Sequence, residues 1–423
     1  SDRNYGRSVA HIGASASKGA LTVYVNGFNE MDLKSQPTST IINTIDSTTG
    51  IAGRDVLALS GDEVGLYPTA REKEVYDPDL IMYTRSTIGA NQVYVYAPTP
   101  QEGSTYYSVR FSNIGQGQGD YVQAQTAANG KVFEYIGQGL GNYSPVEVLI
   151  PPKRLNTMNI GLVLEKDGKK SGIEYAISSL DKNTFSPLED SDNGGFGLKL
   201  FRQTEKTLSK EKKTKWSSDV SYEMVSGQYN YVERYRNVEF DRKWNKVLSN
   251  PSSLASLIPK YEHIANGAIR LEKGKEHFIE NTSALFVRPG SFSGYSNLTK
   301  GQTEWEKIQL YTNLELMQST TEQDSTALEN QFYSIVAGVR RPFGDMMANL
   351  SFMQENSAFV LDTLQAQSYG FTKYSASLRG PVNGKFKYNF TANQRTDRQP
   401  QNGGFSTSTN GRDVGVNATY KSK

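Results

Sequence analysis

The stretch Met158–Ile177, MNIGLVLEKDGKKSGIEYAI, decides the fold class that we expect for this chain. Large apolar residues occupy every second position of its two halves, at Ile160, Leu162 and Leu164 and again at Ile173, Tyr175 and Ile177. This period of two predicts strands with one apolar face. Because Lys166–Lys169 supplies a turn between the halves, the stretch predicts two strands that run back on each other.

The same alternation continues to the end of the chain. Further strand candidates are Phe196–Leu200, Val220–Met224, Ala268–Leu271, His277–Val287, Ile308–Leu316, Phe332–Val339, Met347–Phe352, Tyr369–Leu378, Lys385–Ala392 and Val414–Tyr420. They give about ten to twelve strands joined by loops of very unequal length. Outer-membrane barrels pair short turns with long loops, whereas sandwiches space their turns more evenly. We therefore expect an all-β fold, an antiparallel outer-membrane-type β-barrel or a large part of one.

Composition agrees with strands that face two environments. Hydrophobic residues make up 36% of the chain and the mean hydropathy is -0.57, yet aromatic residues reach 11%. A disordered chain would lack these aromatic residues. The formal net charge of +2 gives no reason to expect a nucleic-acid partner. The absence of cysteine excludes disulfides and cysteine-ligated metals, and no apolar run is long enough for a transmembrane helix.

Two near-identical glycine phrases precede the regular strands, IGQGQGDY at Ile114–Tyr121 and IGQGLGNY at Ile136–Tyr143. A dinucleotide-binding loop needs a helix directly after its glycines. Here β-forming residues follow both phrases, and Pro145 follows the second. We therefore interpret the phrases as tight β corners that need positive φ. The structural glycines of these corners are Gly115, Gly117, Gly119, Gly137, Gly139 and Gly141.

The glycine phrases also mark domain boundaries. We expect an irregular β module at residues 1–104, tandem glycine-corner hairpins at residues 105–152, and the strands of a barrel at residues 153–423. Pro151 and Pro152 mark the second boundary. Because Ser1–Asn4 shows neither a basic nor an apolar signal region, we expect any signal peptide to have been removed or to lie upstream.

One acidic loop holds the candidate metal ligands. Asp190, Asp192 and Asn193 place oxygen donors before a glycine turn, a pattern that suits calcium. The EF-hand series is incomplete, since Phe201 stands where its last glutamate would be, and an ordinary acidic turn is the alternative. Apart from calcium we expect no cofactor. No nucleophile or metalloprotease motif occurs, so we expect a protein that is not an enzyme. A β-rich hydrolase that works through Glu189, Asp190 or Asp192 is the alternative that we rank lowest.

Aromatic residues flank several alternating segments, as the girdle residues of a membrane interface do. The residues that we assign to such an interface are Trp216, Trp244, Tyr295 and Trp305. Cross-strand packing in a soluble sheet is the alternative.

A family resemblance rests on the glycine phrases and on three passages, Asn142–Arg154, Ser179–Asn193 and Val238–Asn245. They resemble segments of large, poorly characterised cell-envelope proteins of Bacteroidota. The resemblance covers about residues 105 to 250 and implies secreted β-rich modules that lead into a large outer-membrane barrel. It implies no functional residue. Bacterial barrels usually end on an aromatic residue, whereas this chain ends Tyr420–Lys423, so either it is a fragment or the barrel prediction is wrong.

From these observations we expect an outer-membrane barrel that acts as a structural, transport or secretion-related component of an envelope complex. Its module would be periplasmic or surface-exposed, and its partners would be outer-membrane lipid and other envelope proteins. The alternative is a soluble or surface-attached multi-sandwich adhesin or glycan-binding protein. The outward face of the strands distinguishes the two, because lipid requires a continuous apolar band, whereas a sandwich would carry Lys, Glu and Thr there.

Overall fold

The computed structural model describes residues 6–33, 50–126, 128–236, 240, 244, 261–323, 326–359, 368–381, 386–401 and 404–420. The chain divides into two compact units. Unit 1 comprises Ser1–His11, Phe28–Asn156 and Ser179–Asn193, and unit 2 comprises Ile12–Gly27, Thr157–Ser178 and Gly194–Lys423. Strands dominate both units. Among the described residues the helical elements are one short α-helix, α1 (Gly53–Leu59), and one 3-10 turn, Asp190–Asp192.

In chain order the described strands are β1 (Arg7–Lys18), β2 (Leu21–Asp32), β3 (Gly65–Pro68), β4 (Arg71–Lys73), β5 (Met82–Ile88), β6 (Asn91–Tyr96), β7 (Tyr106–Ser108), β8 (Ser112–Asn113), β9 (Tyr121–Ala124), β10 (Val132–Tyr135), β11 (Tyr143–Ser144), β12 (Val146–Leu149), β13 (Arg154–Lys166), β14 (Lys169–Asp181), β15 (Gly194–Ser209), β16 (Thr214–Val225), β17 (Glu262–Lys273), β18 (His277–Arg288), β19 (Phe292–Trp305), β20 (Ile308–Gln323), β21 (Thr326–Phe343), β22 (Met346–Phe359), β23 (Tyr369–Arg379), β24 (Phe386–Gln401) and β25 (Gly404–Tyr420).

One antiparallel sheet of 15 strands contains β1, β2 and all strands from β13 to β25. Its strands lie in sequence order, so each pairs with the strand before it and the strand after it within the sheet. This order explains why the sequence pattern was readable after residue 153, because strands β13 to β25 pair with their nearest neighbours along the chain. The predicted all-β class and the antiparallel arrangement are confirmed.

The N-terminal boundary of this sheet corrects the expected domain division. Residues 7–32 were assigned to the irregular module, but they form β1 and β2 of the large sheet. Backbone hydrogen bonds attach β2 to β13, from Asp32 N to Lys153 O at 2.9 Å and from Glu165 N to Ala20 O at 2.8 Å. The alternation in β2 therefore belongs to the same sheet as the alternation that follows residue 153.

The strands of the large sheet are connected differently at their two ends, which are called edges here. At one edge, here called the short-turn edge, Asp167–Gly168 and Glu306–Lys307 join neighbouring strands with positive φ at both residues. Such turns match the twist of the flanking strands. The opposite edge has connections of mixed length, among them residues 289–291 and residues 226–261. No helix in the described ranges is long and apolar enough to cross a membrane.

Unit 1 contains three smaller sheets with the strand orders β10-β9-β11-β8, β12-β3 and β4-β7-β5-β6. Leu57 of α1 packs against Tyr67 and Leu149 in a core between the helix and the two-stranded sheet. A second core forms around Met82, whose side chain is fully buried beside Tyr106. Small sheets with separate cores agree with the irregular module expected from the sequence of this part.

Candidate functional site

The glycine phrases form paired corners in unit 1. Gly119 and Gly141 lie opposite each other and exchange backbone hydrogen bonds, with N–O distances of 3.1 and 2.7 Å. A Cβ atom on Gly119 would lie 2.5 Å from the backbone nitrogen of Tyr143. The two phrases therefore approach too closely for any side chain at these positions. The interpretation as β corners is confirmed, since four of the six glycines also have positive φ.

The residue after the third glycine of each phrase explains why the phrase occurs twice. Asp120 Oδ1 accepts a hydrogen bond from Gly139 N at 2.9 Å, and Asn142 Oδ1 accepts one from Gly117 N at 3.4 Å. Each phrase thus uses its own Asp or Asn to satisfy a backbone amide in the loop of the other. This reciprocal capping accounts for the Gly-Asp-Tyr and Gly-Asn-Tyr endings without any bound phosphate.

The candidate calcium ligands lie in a turn that is held by its own hydrogen bonds. Asn193 Nδ2 donates to Asp190 Oδ1 at 2.9 Å, and Asp190–Asp192 forms the 3-10 turn. The neighbouring Glu189 accepts a hydrogen bond from the backbone of Asp62. In the described part of the chain no group of three or more His, Cys, Asp or Glu side chains is placed to hold a metal. Calcium at Asp190, Asp192 and Asn193 stays a prediction.

Exposed apolar side chains cover one face of the large sheet in unit 2, here called the apolar face. Strand pairing places them in register, for example Leu310 opposite Val339 and Phe390 opposite Val416. Among the exposed large hydrophobic residues of the described strands β13–β25, only Leu208, Met347 and Tyr369 fall outside this face. Its exposed members include Ile160, Leu162, Leu164, Ile173, Ile177, Leu200, Val220, Ile269, Leu285, Leu310, Leu314, Leu316, Leu350, Tyr374, Phe390, Val414 and Val416.

The apolar face spans many strands, and this extent indicates the environment in which the face lies. Leu316 and Leu350 are each 57% exposed although their strands are paired on both sides, and Val416 on the outermost strand β25 is 61% exposed. Soluble monomers rarely expose contiguous apolar patches of more than a few hundred Å². A face that runs across a dozen strands therefore needs an apolar environment or a covering partner.

The opposite face of the same strands, here called the polar face, carries charges that pair across strands. Lys199 Nζ lies 3.0 Å from Glu223 Oε1, and Arg270 Nη1 lies 2.8 Å from Glu280 Oε2. Arg270 also stacks on Phe278, with 4.1 Å between the guanidinium carbon and the ring centroid. Water-facing ion pairs of this kind contribute little stability. They show that this face is built for a polar environment.

A closed group of polar side chains interrupts the apolar face at mid-strand on β18 and β19. Asn281 Nδ2 donates to Asn297 Oδ1 at 3.1 Å and to Thr299 Oγ1 at 2.8 Å. Asn297 Nδ2 donates to Asn281 Oδ1 at 3.2 Å and to Ser283 Oγ at 2.8 Å. Each hydroxyl in turn donates to an amide oxygen of the group at 3.4 Å. Every polar hydrogen of these four side chains therefore has an acceptor inside the group.

Two of the predicted interface aromatics mark the ends of one strand on the apolar face. Tyr295 and Trp305 lie on β19 and point to the same face, and Trp305 is 70% exposed. Ten residues of antiparallel strand separate them by about 34 Å along the strand. A third predicted residue, Trp216, lies opposite Leu271 on the same face and near the short-turn edge. The assignment of these three residues to a membrane interface stays a prediction.

The assignment of Trp244 to an interface is wrong, because its side chain is buried. Trp244 is only 3% exposed and packs with Phe286, Phe292 and Phe240. Phe286 and Phe292 belong to the polar face by their register. The sequence showed an aromatic residue near a strand end. It could not show that the connection between β16 and β17 returns onto the sheet.

That connection forms an unforeseen cluster on the polar face. Arg236 pairs with Glu262 at 3.1 Å, and Tyr235 Oη donates to Glu223 Oε1 at 2.9 Å. Partial burial raises the pKa of Tyr231 to about 12. The sequence shows a run of tyrosines and arginines at Tyr229–Arg236. The structure uses it as packing on the polar face.

Replacing Gly119 by Ala is expected to lower the unfolding free energy of unit 1 by about 2 kcal/mol or more, because the new Cβ would meet a backbone that cannot move aside. Hydrogen exchange at Tyr106–Leu149 measures this loss. Asp120→Asn is the matched control, since Asn142 already performs the same capping in the other phrase. Equal amide protection in Gly119→Ala and the natural protein would contradict the pairing.

The closed polar group on β18 and β19 predicts strong energetic coupling between the side-chain amides of Asn281 and Asn297. Asn281→Leu or Asn297→Leu alone should each cost about 1 to 3 kcal/mol, because partly buried donors lose their acceptors. The double variant should be closer to the natural protein than the sum of the singles. Unfolding in denaturant measures the cycle, and Ser296→Ala on the polar face is the control. Additive effects would mean that water reaches these amides.

Comparison with protein-family models and with curated proteins finds no match to this chain.

Proposed function

We propose that this protein is an outer-membrane β-barrel component of the bacterial cell envelope, with the apolar face of the large sheet against lipid. The single observation that carries the proposal is the exposed apolar face that extends over strands β13 to β25. Barrel strands in a membrane alternate between lipid-facing apolar and interior polar residues. The sheet has this alternation, with its ion pairs on one face and its exposed aliphatic residues on the other.

The spacing of the aromatic residues supports the same orientation. Tyr295 and Trp305 are separated by about 34 Å along the strand. If the strand is tilted by about 40° from the membrane normal, this separation corresponds to about 26 Å across the membrane. That height matches the apolar band of about 25 Å between two aromatic girdles in outer-membrane barrels. Trp305 would then lie at the interface next to the short-turn edge, and Tyr295 at the opposite interface.

The connections support a direction across the membrane. Outer-membrane barrels have short turns on the periplasmic side and longer loops outside. By this analogy the short-turn edge would face the periplasm, and the ends of β16 and β17 at Val225 and Glu262 would belong to the outer side. Asn356 and Arg398 share a hydrogen bond on the lipid-facing side of their strands, near the strand ends opposite the short-turn edge. They would lie above the apolar band.

The closed polar group on β18 and β19 is compatible with lipid. A polar side chain in hydrocarbon costs several kcal/mol chiefly when its hydrogen bonds are unmade. Asn281, Ser283, Asn297 and Thr299 satisfy one another, which removes most of this cost. The interruption therefore does not require water or a partner at this position.

The interior face supports a role in passage or anchoring. Lys199, Glu223, Arg270 and Glu280 would line the interior, and Tyr229–Arg236 with Trp244 would narrow it. The soluble multi-sandwich alternative needs a second layer on the apolar face. Among the described residues of unit 2, no sheet packs there, since the aliphatic side chains of that face are exposed. A function without catalysis stays our expectation.

An arginine on the lipid-facing side of β20 should destabilise the protein far more than an arginine at the neighbouring position. We expect Leu314→Arg to lower the unfolding free energy in bilayers by about 2 to 4 kcal/mol, the cost of arginine near the midplane. Asn313→Arg, on the polar face, should cost little. Heat-modifiable gel migration of membrane-fraction protein measures folding and location together. Recovery of the natural protein without detergent, or equal effects of both variants, would reject the proposal.

A further inference from the structure

Lysines end the rows of apolar side chains at the short-turn edge of the large sheet. Lys166 on β13 and Lys273 on β17 each stand two residues after a leucine of the apolar face, so the pleat puts them on that face. Lys206 on β15 lies directly opposite Trp216, which itself lies opposite Leu271. All three lysines are therefore on the apolar face, at the end where its aliphatic residues stop.

Lys169 extends this row across the hairpin between β13 and β14. It stands an even number of residues before the apolar positions of β14, which puts it on the apolar face. Lys166 and Lys169 flank the two-residue turn of the hairpin. Glu205 N donates to Gly168 O in this turn at 2.7 Å, so Lys206 lies beside the same turn. Three lysines on adjacent strands are thus close together on one face.

Lys18 ends β1 in the same way. Ser17 Oγ lies 2.9 Å from Thr22 Oγ1, and Tyr24, two residues after Thr22, donates to Glu174 of the polar face at 3.1 Å. Ser17 is therefore on the polar face, and the next residue, Lys18, is on the apolar face. We call the five lysines together the lysine belt, which consists of Lys18, Lys166, Lys169, Lys206 and Lys273.

The acidic residues at the same strand ends lie on the polar face. There Glu205 pairs with Lys215 and Glu272 pairs with Arg270, each at 3.0 Å. All members of the lysine belt are exposed, and no ion pair among the described residues involves their ammonium groups. The turns carry charges of both signs, so the segregation belongs to the strands. At this edge, the described strand positions of the apolar face from β1 to β18 carry lysines and no acid.

This arrangement suits a boundary between lipid chains and charged headgroups. Like charges on adjacent strands repel one another, and an anion against the face would relieve this repulsion. A lysine stem can cover apolar surface while its ammonium group stays in a polar layer. Trp216 beside Lys206 is the kind of aromatic residue that lies at the level of the headgroups. The lysine belt therefore has the position and the charge to meet phosphates.

We propose that the lysine belt binds the phosphate groups of anionic phospholipids in the leaflet next to the short-turn edge. Charge complementarity selects this occupant. The phosphate of a zwitterionic lipid is balanced by the cation of its own headgroup, whereas that of phosphatidylglycerol is not. The acyl chains of the bound lipid lie along Leu164 and Leu271 of the apolar face. This proposal rests on the proposed membrane function and adds the class of lipid and its site.

Quenching of tryptophan fluorescence by brominated lipids tests the proposal. Trp216 lies in the belt, Trp305 lies on the apolar face outside it, and Trp244 is buried on the polar face. Trp305→Phe keeps the reporter in the belt, and Trp216→Phe keeps the one outside. The full chain is placed in phosphatidylcholine vesicles that contain a small fraction of brominated phosphatidylglycerol or brominated phosphatidylcholine. We expect phosphatidylglycerol to bind severalfold more tightly at Trp216, and no such preference at Trp305.

Removing charges from the belt should remove the preference at Trp216. A basic residue near an anionic surface contributes about fivefold in affinity, so three substitutions should make the two lipids equivalent. This belt variant is Lys166→Gln with Lys169→Gln and Lys206→Gln. The matched control removes three lysines of the polar face and should keep the preference. It is Lys170→Gln with Lys215→Gln and Lys300→Gln.

A second measurement needs only the natural charges. Raising sodium chloride from about 0.05 M to about 0.5 M should weaken the preference, because salt screens exposed charges. This arm decides the question if the belt variant fails to fold. A preference that does not change with salt would overturn the proposal. A preference abolished by inorganic phosphate at matched ionic strength would also overturn it, because the belt would then bind free phosphate.

The quenching results separate this proposal from the proposed function. Equal quenching of Trp216 by both lipids, or a preference that the belt variant and the control lose equally, would overturn the lysine belt alone. Absence of quenching by either lipid at both Trp216 and Trp305 would instead reject the lipid contact of the apolar face.

Discussion

The alternation of side chains across an antiparallel sheet is the constraint on which the rest of this structure depends. Strands β13 to β25 each pair with their neighbours in sequence, and β2 pairs with β13, so the backbone groups inside the sheet are satisfied by adjacent strands. The side chains of every strand must then divide between two faces. One face collects aliphatic residues such as Leu314 and Leu350, and the other collects ion pairs such as Arg270 with Glu280. The proposed membrane location follows from this division.

The sequence predicts strands wherever large apolar residues fill the alternating positions. It succeeded at Met158–Ile177 because Ile, Leu and Tyr occupy one face there without a break. It missed β19 because Asn297, Thr299 and Gly301 stand on the apolar face of that strand. It also missed β1, whose alternating residues include small alanines. A period-two signal needs a size contrast, and these strands lack one although they pair as well as the others.

Segments between strands that pack back onto the sheet could not be predicted from the sequence. Trp244 has the sequence context of a girdle residue, yet it lies on the polar face against Phe286. The cluster that Arg236 makes with Glu262 joins a connection to a strand, and no spacing rule links these positions. The glycine corners are the opposite case. Their need for glycine was readable from the repeat, because both phrases place glycines at the same positions, with positive φ at Gly117 and Gly139 and a close backbone approach at Gly119 and Gly141.

The central claim is that the apolar face touches lipid, and a cysteine scan along β20 tests it most directly. Single cysteines from Leu310 to Leu316 would carry an environment-sensitive fluorophore, in bilayers whose lipid chains bear a quencher. The account predicts strong quenching at Leu310, Leu314 and Leu316, and weak quenching at Tyr311, Asn313 and Glu315 between them. Uniform quenching, or none at the leucines, would contradict it.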